Sequence, residues 1–283
     1  MGRLMSLMGR QTKETSMNKR LKHITGLMIG ALISSNVYAG ERLAQHELTA
    51  LLESSTRFEN DAQRDQARKP VDVMYFAEIA KGDHVLDLFA GGGWYSELFS
   101  MAVENTGKVY AQNDSVIWQF AEKGITQRTV DNRLPNVQRL DQVEIVDMPI
   151  KDNSIDLVFT ALNYHDLFFT HSVRDGKVKK FREHAIDHKA ALAKIKSVLK
   201  DDGIFIIIDH TGVAGSGFNA PNDVHRIDPD IVKYQMKEAG FDLIEEAYYL
   251  RNSQDDLSSH VFADGVRGKT DRFIYKYKKN RTF

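Results

Sequence analysis

The stretch VLDLFAGGGWYSELFS, residues 85–100, decides the fold. It joins an apolar run to three consecutive glycines, Gly91–Gly93, and then to a segment of helical character that opens on Trp94 and Tyr95. A buried strand, a glycine turn and a helix in this order are typical of a parallel α/β sheet. Glycine lets the backbone turn sharply and approach a ligand closely, and the helix start behind it offers free N–H groups. A tight turn without a ligand would have the same pattern.

Strand and helix patterns alternate from residue 84 to the end of the chain, which predicts a doubly wound α/β sheet. The segment IFIIID, 204–209, is the most apolar strand and belongs in the middle of that sheet, since both of its faces are buried. Two irregular segments, 168–183 and 251–270, are expected to be functional lids or mobile surface. The predicted strands are 84–89, 108–112, 137–143, 156–162, 204–209, 241–249 and 272–277, and the predicted helices are 94–103, 116–123, a long one ending at 199, and 229–239.

The composition is that of a globular protein and excludes several classes of site. The chain has 283 residues, of which 42% are hydrophobic and 27% charged. Lys and Arg number 38 against 39 Asp and Glu, so no strongly basic field favours nucleic acid as a partner. Because there are no cysteines, disulfides, thiolate metal sites and a cysteine nucleophile are excluded.

The N-terminus has the pattern of a secretory signal peptide. A basic segment, 17–23, precedes the short apolar run ITGLMIGALI, 24–33, and a small-x-small site that ends at Ala39. The apolar run is shorter than the about 20 residues that a membrane-spanning helix needs. We therefore expect a signal peptide over 1–39, with translation starting at Met17 and cleavage after Ala39, and an exported, periplasmic protein without a membrane span in the mature chain. Residues 40–283 would form a single domain with an N-terminal helical cap over 41–80.

The opening stretch resembles motif I of the class I S-adenosylmethionine-dependent methyltransferases, whose usual form is V-L-D-x-G-x-G-x-G. Asp87 takes the acidic position, Gly91 and Gly93 take the last two glycines, and Phe89 replaces the first. The segments DMPIKDNSIDLVF (147–159), LKDDGIFIIID (199–209) and EAGFDLIEE (238–246) resemble later parts of the same fold, in the same order.

Within this superfamily the chain is most similar to a group of uncharacterised, often exported bacterial predicted methyltransferases. The shared signatures are GGGWY at 91–95, LNYHD at 162–166 and GKTDRF at 268–273. The resemblance implies a seven-stranded, mostly parallel Rossmann-like sheet whose last strand is antiparallel. It also implies S-adenosylmethionine as the cofactor, its methionine end held by the glycine loop, where a side chain at Gly91 or Gly93 would collide with it.

The resemblance assigns further residues to the cofactor. Asn113 stands where the family has an acid that bonds the ribose hydroxyls, and Asp114 follows it. The adenine amine would be bonded by Glu144, with Asp141 and Asp147 as alternatives. The residues assigned to cofactor binding are Asp87, Phe89, Ala90, Gly91, Gly92, Gly93, Asn113, Asp114, Glu144 and Asn163.

Polar residues gather where the fourth and fifth strands end, at the edge where open α/β sheets bind ligands. Histidine is suited to accept a proton from a methyl acceptor near neutral pH. Two alternatives are that Tyr164 packs in the core and that His165 and Asp166 form a satisfied pair. The spacing is not a local metal motif, so no metal site is predicted. The candidate catalytic residues are Asn163, Tyr164, His165, Asp166, His210 and His225.

These observations predict an S-adenosylmethionine-dependent methyltransferase that acts on a small-molecule acceptor rather than on nucleic acid. Two alternatives belong to other classes. One is an exported, non-catalytic module that binds a small ligand on the same fold. The other is a metal-assisted enzyme that uses the His and Asp residues of the cluster.

Overall fold

Parallel strands form most of a seven-stranded sheet in the computed structural model, which describes residues 40–174 and 176–280. The predicted signal peptide lies outside the described residues. The strand order is β3-β2-β1-β4-β7-β9-β8, and β9 runs antiparallel to both of its neighbours. The strands are β1 (His84–Leu88), β2 (Lys108–Asn113), β3 (Val137–Asp141), β4 (Ile155–Ala161), β5 (His171–Arg174), β6 (Lys177–Lys180), β7 (Leu199–His210), β8 (Phe241–Ala247) and β9 (Arg272–Lys279).

Helices cover both faces of this sheet, as the sequence predicts. The segment 41–80, expected to form an N-terminal helical cap, contains three short α-helices and a 3-10 helix, Asp61–Arg64, with turns between them. No helix among the described residues is long and apolar enough to cross a membrane. The helices are α1 (Gln45–Leu52), α2 (Asp65–Arg68), α3 (Pro70–Phe76), α4 (Trp94–Val103), α5 (Ser115–Thr129), α6 (His188–Val198), α7 (Ala220–Asp223) and α8 (Pro229–Glu238).

The alternation of apolar side chains along β1 and β7 explains the two-sided core. Leu86 and Ile207 belong to a buried cluster on the face covered by α6 and α8, whereas Val85 and Ile206 belong to a second cluster with α1, α3 and α4. Successive side chains of a strand point to opposite faces, so a continuous apolar run fits a strand covered on both sides. The expected seven-stranded class I methyltransferase fold is confirmed.

The segment 168–183 was expected to be irregular, but it contains regular structure. It contains the antiparallel hairpin β5–β6, in which Val173 pairs with Val178. Because β6 is exposed along its whole length, it has no apolar face whose alternation would reveal a strand in the sequence. The other segment expected to be irregular, 251–270, has turns and bends but no strand or helix.

Candidate active site

A cavity of about 1070 Å³ opens at the carboxyl ends of β1 and β4, where open α/β sheets bind ligands. Besides the strand ends, the loops that follow them and α5, its walls include three places distant in sequence: the segment before α3, the hairpin β5–β6, and residues 260–262. Ligand pockets usually measure about 300–1,000 Å³, so this cavity has room for a cofactor and a second small molecule.

The glycine loop lies between the end of β1 and the start of α4. Gly91 has a φ of +56°, and a Cβ atom added to it would meet nothing within 4 Å, so the space in front of it is open. Gly93 differs, since its Cβ would lie 2.5 Å from Cδ1 of Ile125. A side chain at Gly91 would enter this open space, whereas one at Gly93 would meet α5 instead.

Phe89 stands at the position of the first motif glycine and keeps the backbone conformation of a glycine. Its φ is +49°, in the left-handed region that non-glycine residues seldom adopt. Its side chain is buried in the core with Leu88, and burial of a phenylalanine contributes about 1.5–3 kcal/mol, enough to offset local strain. The departure from the motif therefore preserves the shape of the loop.

Two consecutive amide side chains at the end of β2 hold the loop in place. Asn113 accepts a hydrogen bond from Gly91 N at 2.8 Å and donates one to Gly91 O at 3.2 Å. Gln112 accepts from Phe89 N at 3.1 Å and donates to Val143 O at 2.7 Å. Both side chains are fully buried. Asn113 therefore holds the backbone of the loop in place and does not line the cavity. Gln112 was not predicted from the sequence.

The acids assigned to the ribose and the adenine also lie outside the cavity wall. Asp114 caps α5: its Oδ1 accepts from Val116 N at 3.0 Å and from Ile117 N at 2.7 Å, and Arg182 lies 3.1 Å from Oδ2. Burial raises the pKa of Asp114, although Arg182 lowers it. The Glu144 carboxylate accepts from the Ser115 hydroxyl at 2.8 Å.

A partly buried cation and a buried acid flank the glycine loop inside the cavity. The Arg68 guanidinium lies over the ring of Trp94, 4.7 Å from its centroid, and burial lowers the pKa of Arg68. Asp87 accepts a hydrogen bond from the Ser96 hydroxyl at 2.6 Å, and burial raises the pKa of Asp87 to about 7. Next to Arg68 in the chain, the carbonyl of Ala67 accepts a hydrogen bond from Arg272 at 2.7 Å. Arg68 belongs to no recognisable sequence motif, so its place in the site was not predicted from the sequence.

A cluster of histidines and aspartates forms the opposite side of the cavity. Nδ1 of His165 lies 3.0 Å from Oδ1 of Asp209, and the backbone N–H of His165 donates to the other oxygen of Asp209 at 2.8 Å. Nε2 of His165 lies 3.2 Å from Nδ1 of His225 and 3.5 Å from Oδ1 of Asp166. Four residues from three different segments thus meet at one buried point.

The two histidines in contact differ strongly in pKa. Burial lowers the pKa of His165, but the carboxylates of Asp209 and Asp166 outweigh it and raise the pKa to about 9. Burial and the neighbouring His165 lower the pKa of His225 to about 3. Burial also raises the pKa of Asp166 to about 6. With no cation beside them, His165 therefore holds a proton at neutral pH, whereas His225 is neutral.

The other candidate catalytic residues fall in different places. Asn163 lines the cavity and donates to Phe89 O at 2.7 Å, which ties the end of β4 to the glycine loop. His210 lines it too, with Nδ1 2.7 Å from the Thr270 hydroxyl, and burial lowers its pKa. Tyr164 points into the core, where its hydroxyl donates to Gln235 at 2.9 Å. The alternative in which Tyr164 packs agrees with this placement.

Comparison with known proteins gives the family. The family model described as "Methyltransferase domain" matches residues 79–240, more than half of the chain. The chain belongs to this methyltransferase family. As a methyltransferase of the class I fold, the enzyme uses S-adenosylmethionine as its cofactor. No curated protein matches in sequence.

A solved structure shares this fold. A SAM-dependent methyltransferase from Aquifex aeolicus is 18% identical with a TM-score of 0.51, covering 83% of this chain and 98% of its own. Fibrillarin from Aeropyrum pernix, solved in complex with natively bound S-adenosyl-L-methionine, is 9% identical with a TM-score of 0.44, covering 70% of this chain and 67% of its own. At 18% identity the likeness to the Aquifex aeolicus structure concerns the fold alone.

The residues at the glycine loop fit S-adenosylmethionine. Its methionine end carries an ammonium and a carboxylate, and the cavity offers the acid Asp87 and the cation Arg68 beside the open space at Gly91. Trp94 and Tyr95 add aromatic surface at the same place. The fit is weaker for the ribose, because Asn113 and Asp114 already have partners within the protein.

Proposed function

We propose that this methyltransferase transfers a methyl group from S-adenosylmethionine to a small molecule bound beside the His165 cluster. The observation that carries the proposal is a single cavity with two different sides. The side at Gly91 suits the methionine end of the cofactor, and the side at His165 presents polar groups to an acceptor. The cavity is a pocket of about 1070 Å³ lined largely by loops and short elements, so a small molecule is a better match than a folded macromolecule.

The residues of the cavity have separate parts in such a reaction. Bound S-adenosylmethionine would supply the methyl group, and S-adenosylhomocysteine would be the second product. Arg68 and Asp87 would hold the charged methionine end, and Asn113 and Gln112 keep the loop in shape. Alignment of the two reacting atoms and exclusion of water are the main contributions of the protein. The acceptor's proton would pass to the carboxylate of Asp166, since His165 already holds a proton at neutral pH.

Calorimetric titration of S-adenosylmethionine into the purified protein tests the cofactor side. We expect micromolar binding, about −8 kcal/mol. Gly91→Val should abolish it, because its side chain would enter the open space at the loop. Gly268→Val is the matched control: Gly268 also has a positive φ and open space around it but does not line the cavity.

Three outcomes separate the alternatives. Binding that survives Gly91→Val in a folded variant would contradict the placement of the cofactor. Binding of the cofactor without methyl transfer to any small hydroxyl, thiol or amine compound offered would favour the non-catalytic binding module. Turnover that yields S-adenosylhomocysteine and depends on an added small acceptor would support the proposal.

We also propose that the protein is exported to the periplasm. The support is the order of basic segment, apolar run and cleavage site in residues 17–39. Fractionation of cells that express the full chain, followed by N-terminal sequencing of the mature protein, tests this. A mature protein that starts at Gly40 in the periplasmic fraction is expected, and an uncleaved chain in the cytoplasm would contradict the proposal.

A further inference from the structure

The polar cluster has the geometry of a metal site. Nε2 of His165, Nδ1 of His225 and a carboxylate oxygen of Asp166 all lie within 4.8 Å of one another. Metal bonds to imidazole nitrogen and carboxylate oxygen are about 2.0–2.2 Å, which places neighbouring ligand atoms about 3.3 Å apart around a tetrahedral ion. The distances from His165 Nε2, 3.2 Å to His225 and 3.5 Å to Asp166, match that spacing.

A second observation concerns the other nitrogen of His165. Its Nδ1 is held by the fully buried carboxylate of Asp209, 3.0 Å away, and its backbone N–H donates to the same carboxylate. Metal-binding histidines almost always have such an outer partner, which fixes the ring and directs the free nitrogen to the ion. Asp209 thus positions His165 with Nε2 facing the other two ligand atoms.

Charge and access also suit a cation. Asp166 and Asp209 place two carboxylates close together in a buried position. The nearby cation Arg182 interacts electrostatically with Asp166, but its ion pair is with Asp114. His165, Asp166 and His225 all line the cavity, so a bound ion would keep a position open to the cavity. His225 is held at a φ of +54°, a strained conformation that clusters at functional sites.

We infer that His165, Asp166 and His225 bind a divalent first-row transition metal ion, with Asp209 as the positioning residue. Two histidines and one carboxylate with an open position are a common ligand set for Zn²⁺ and related ions. This inference concerns ion binding and stands without the methyl transfer. A further step rests on the proposed function. The methyl acceptor would be a hydroxyl or thiol compound that binds the ion through the oxygen or sulfur atom that is methylated. Its proton would then leave to solvent, because Asp166 would be occupied as a ligand of the ion.

The test is metal binding by the purified full chain after chelator treatment and dialysis, with no cofactor present. Co²⁺ is the spectroscopic probe, read by its visible absorption, and Zn²⁺ is titrated in competition. We expect one equivalent of Co²⁺ to bind with micromolar affinity or tighter and to be displaced by Zn²⁺. His225→Ala should weaken binding at least about 100-fold, and Asp209→Asn about 10- to 100-fold.

His46→Ala is the matched control, since it removes an exposed histidine of α1 outside the cavity and should leave binding unchanged. Thermal melts show whether each variant is folded. If His225→Ala does not fold, Asp166→Asn is tested in its place. Wild-type protein that binds Co²⁺ no better than these variants would overturn the inference. The 3.2 Å contact would then be a proton shared by the two histidines. Because the cofactor is absent, failure here is distinguishable from failure of methyl transfer.

Discussion

At the scale of single residues, Asp87 links the cofactor side of the cavity to pH. Burial is the main cause that raises its pKa to about 7, while the Ser96 hydrogen bond and Arg68 oppose the rise. The ionised carboxylate would attract the ammonium of the methionine end, whereas the protonated form would not. The negative charge on Asp87 that would attract the cofactor's ammonium group therefore appears only as the pH rises through about 7.

We expect the affinity for S-adenosylmethionine to increase between pH 6 and pH 8 and to lose this dependence in Asp87→Asn. Calorimetry at three pH values, in two buffers that differ in ionisation enthalpy, would also count the proton released by Asp87. Equal pH dependence in the wild type and in folded Asp87→Asn would show that another group is responsible.

Arg68 offers a test of how the other charge of the cofactor is held. Arg68→Met keeps an apolar chain against Trp94 but removes the cation that would pair with the methionine carboxylate. We expect at least about 10-fold weaker binding of S-adenosylmethionine, as hydrogen bonds to charged groups contribute about 1.5–3 kcal/mol. Methylthioadenosine, which has no carboxylate, serves as the control ligand and should bind both proteins alike. An equal loss for both ligands would mean that Arg68 acts by packing.

At the scale of elements, Asp114 connects α5 to the hairpin that walls the cavity. Its Oδ1 caps the helix while Oδ2 faces Arg182, which follows Phe181 after the hairpin. Phe181 in turn packs on Phe169 and Phe120, at 5.2 and 5.6 Å between ring centroids. The hairpin is thus tied to the body of the protein by side chains rather than by the main sheet.

Asp114→Asn should separate these two functions, because asparagine is an equally good N-cap but carries no charge for Arg182. We expect faster hydrogen exchange in peptides covering 168–183 and unchanged exchange in those covering 115–129. Mass spectrometry of the two regions measures this. Asp187→Asn, a cap at the start of α6 without such an ion pair, is the control. Unchanged exchange of the hairpin would show that Arg182 does not hold it.

The contrast between these elements shows what the sequence can reveal. The strand, loop and helix around Gly91 were predicted closely, since their pattern is local and strongly apolar. The hairpin β5–β6 was not, because it has no buried face. Asn113 was assigned to a ligand by its position at the end of β2, yet its partner Gly91 lies 22 residues away in sequence. The polar cluster was predicted as a group, but its distances depend on how three separate segments fold together.

At the scale of the whole molecule, stability should depend on pH through Asp83. This half-buried acid precedes β1, where Ala80 N donates to it at 2.8 Å. Burial raises its pKa from 3.8 to about 6; nearby Asp156 adds to the rise and Lys200 opposes it. The folded state therefore holds this proton more tightly than the unfolded state. The contribution of Asp83 to stability is present below pH 4 and is lost as the pH rises towards 6.

Asp83→Asn should remove this loss, since the amide oxygen can still accept the hydrogen bond. We expect the variant to be more stable than the wild type by about 1 kcal/mol at pH 7.5, allowing for solvent screening, with little difference at pH 4. Urea denaturation at both pH values measures it, and Asp152→Asn, on the exposed turn before β4, is the control. An equal gain at both pH values would rule out the titration of Asp83 as the cause.

The hydrogen bond from Arg272 to the carbonyl of Ala67 joins residues 205 positions apart. It ties the last strand to the short helix that carries Arg68. Contacts of such separation form late, since the intervening chain must first be ordered. During synthesis a growing chain therefore lacks a complete cofactor pocket until its final strand has emerged. Ligand binding stabilises only a state that can bind it, so the cofactor protects the finished protein and cannot assist the folding of the unfinished one.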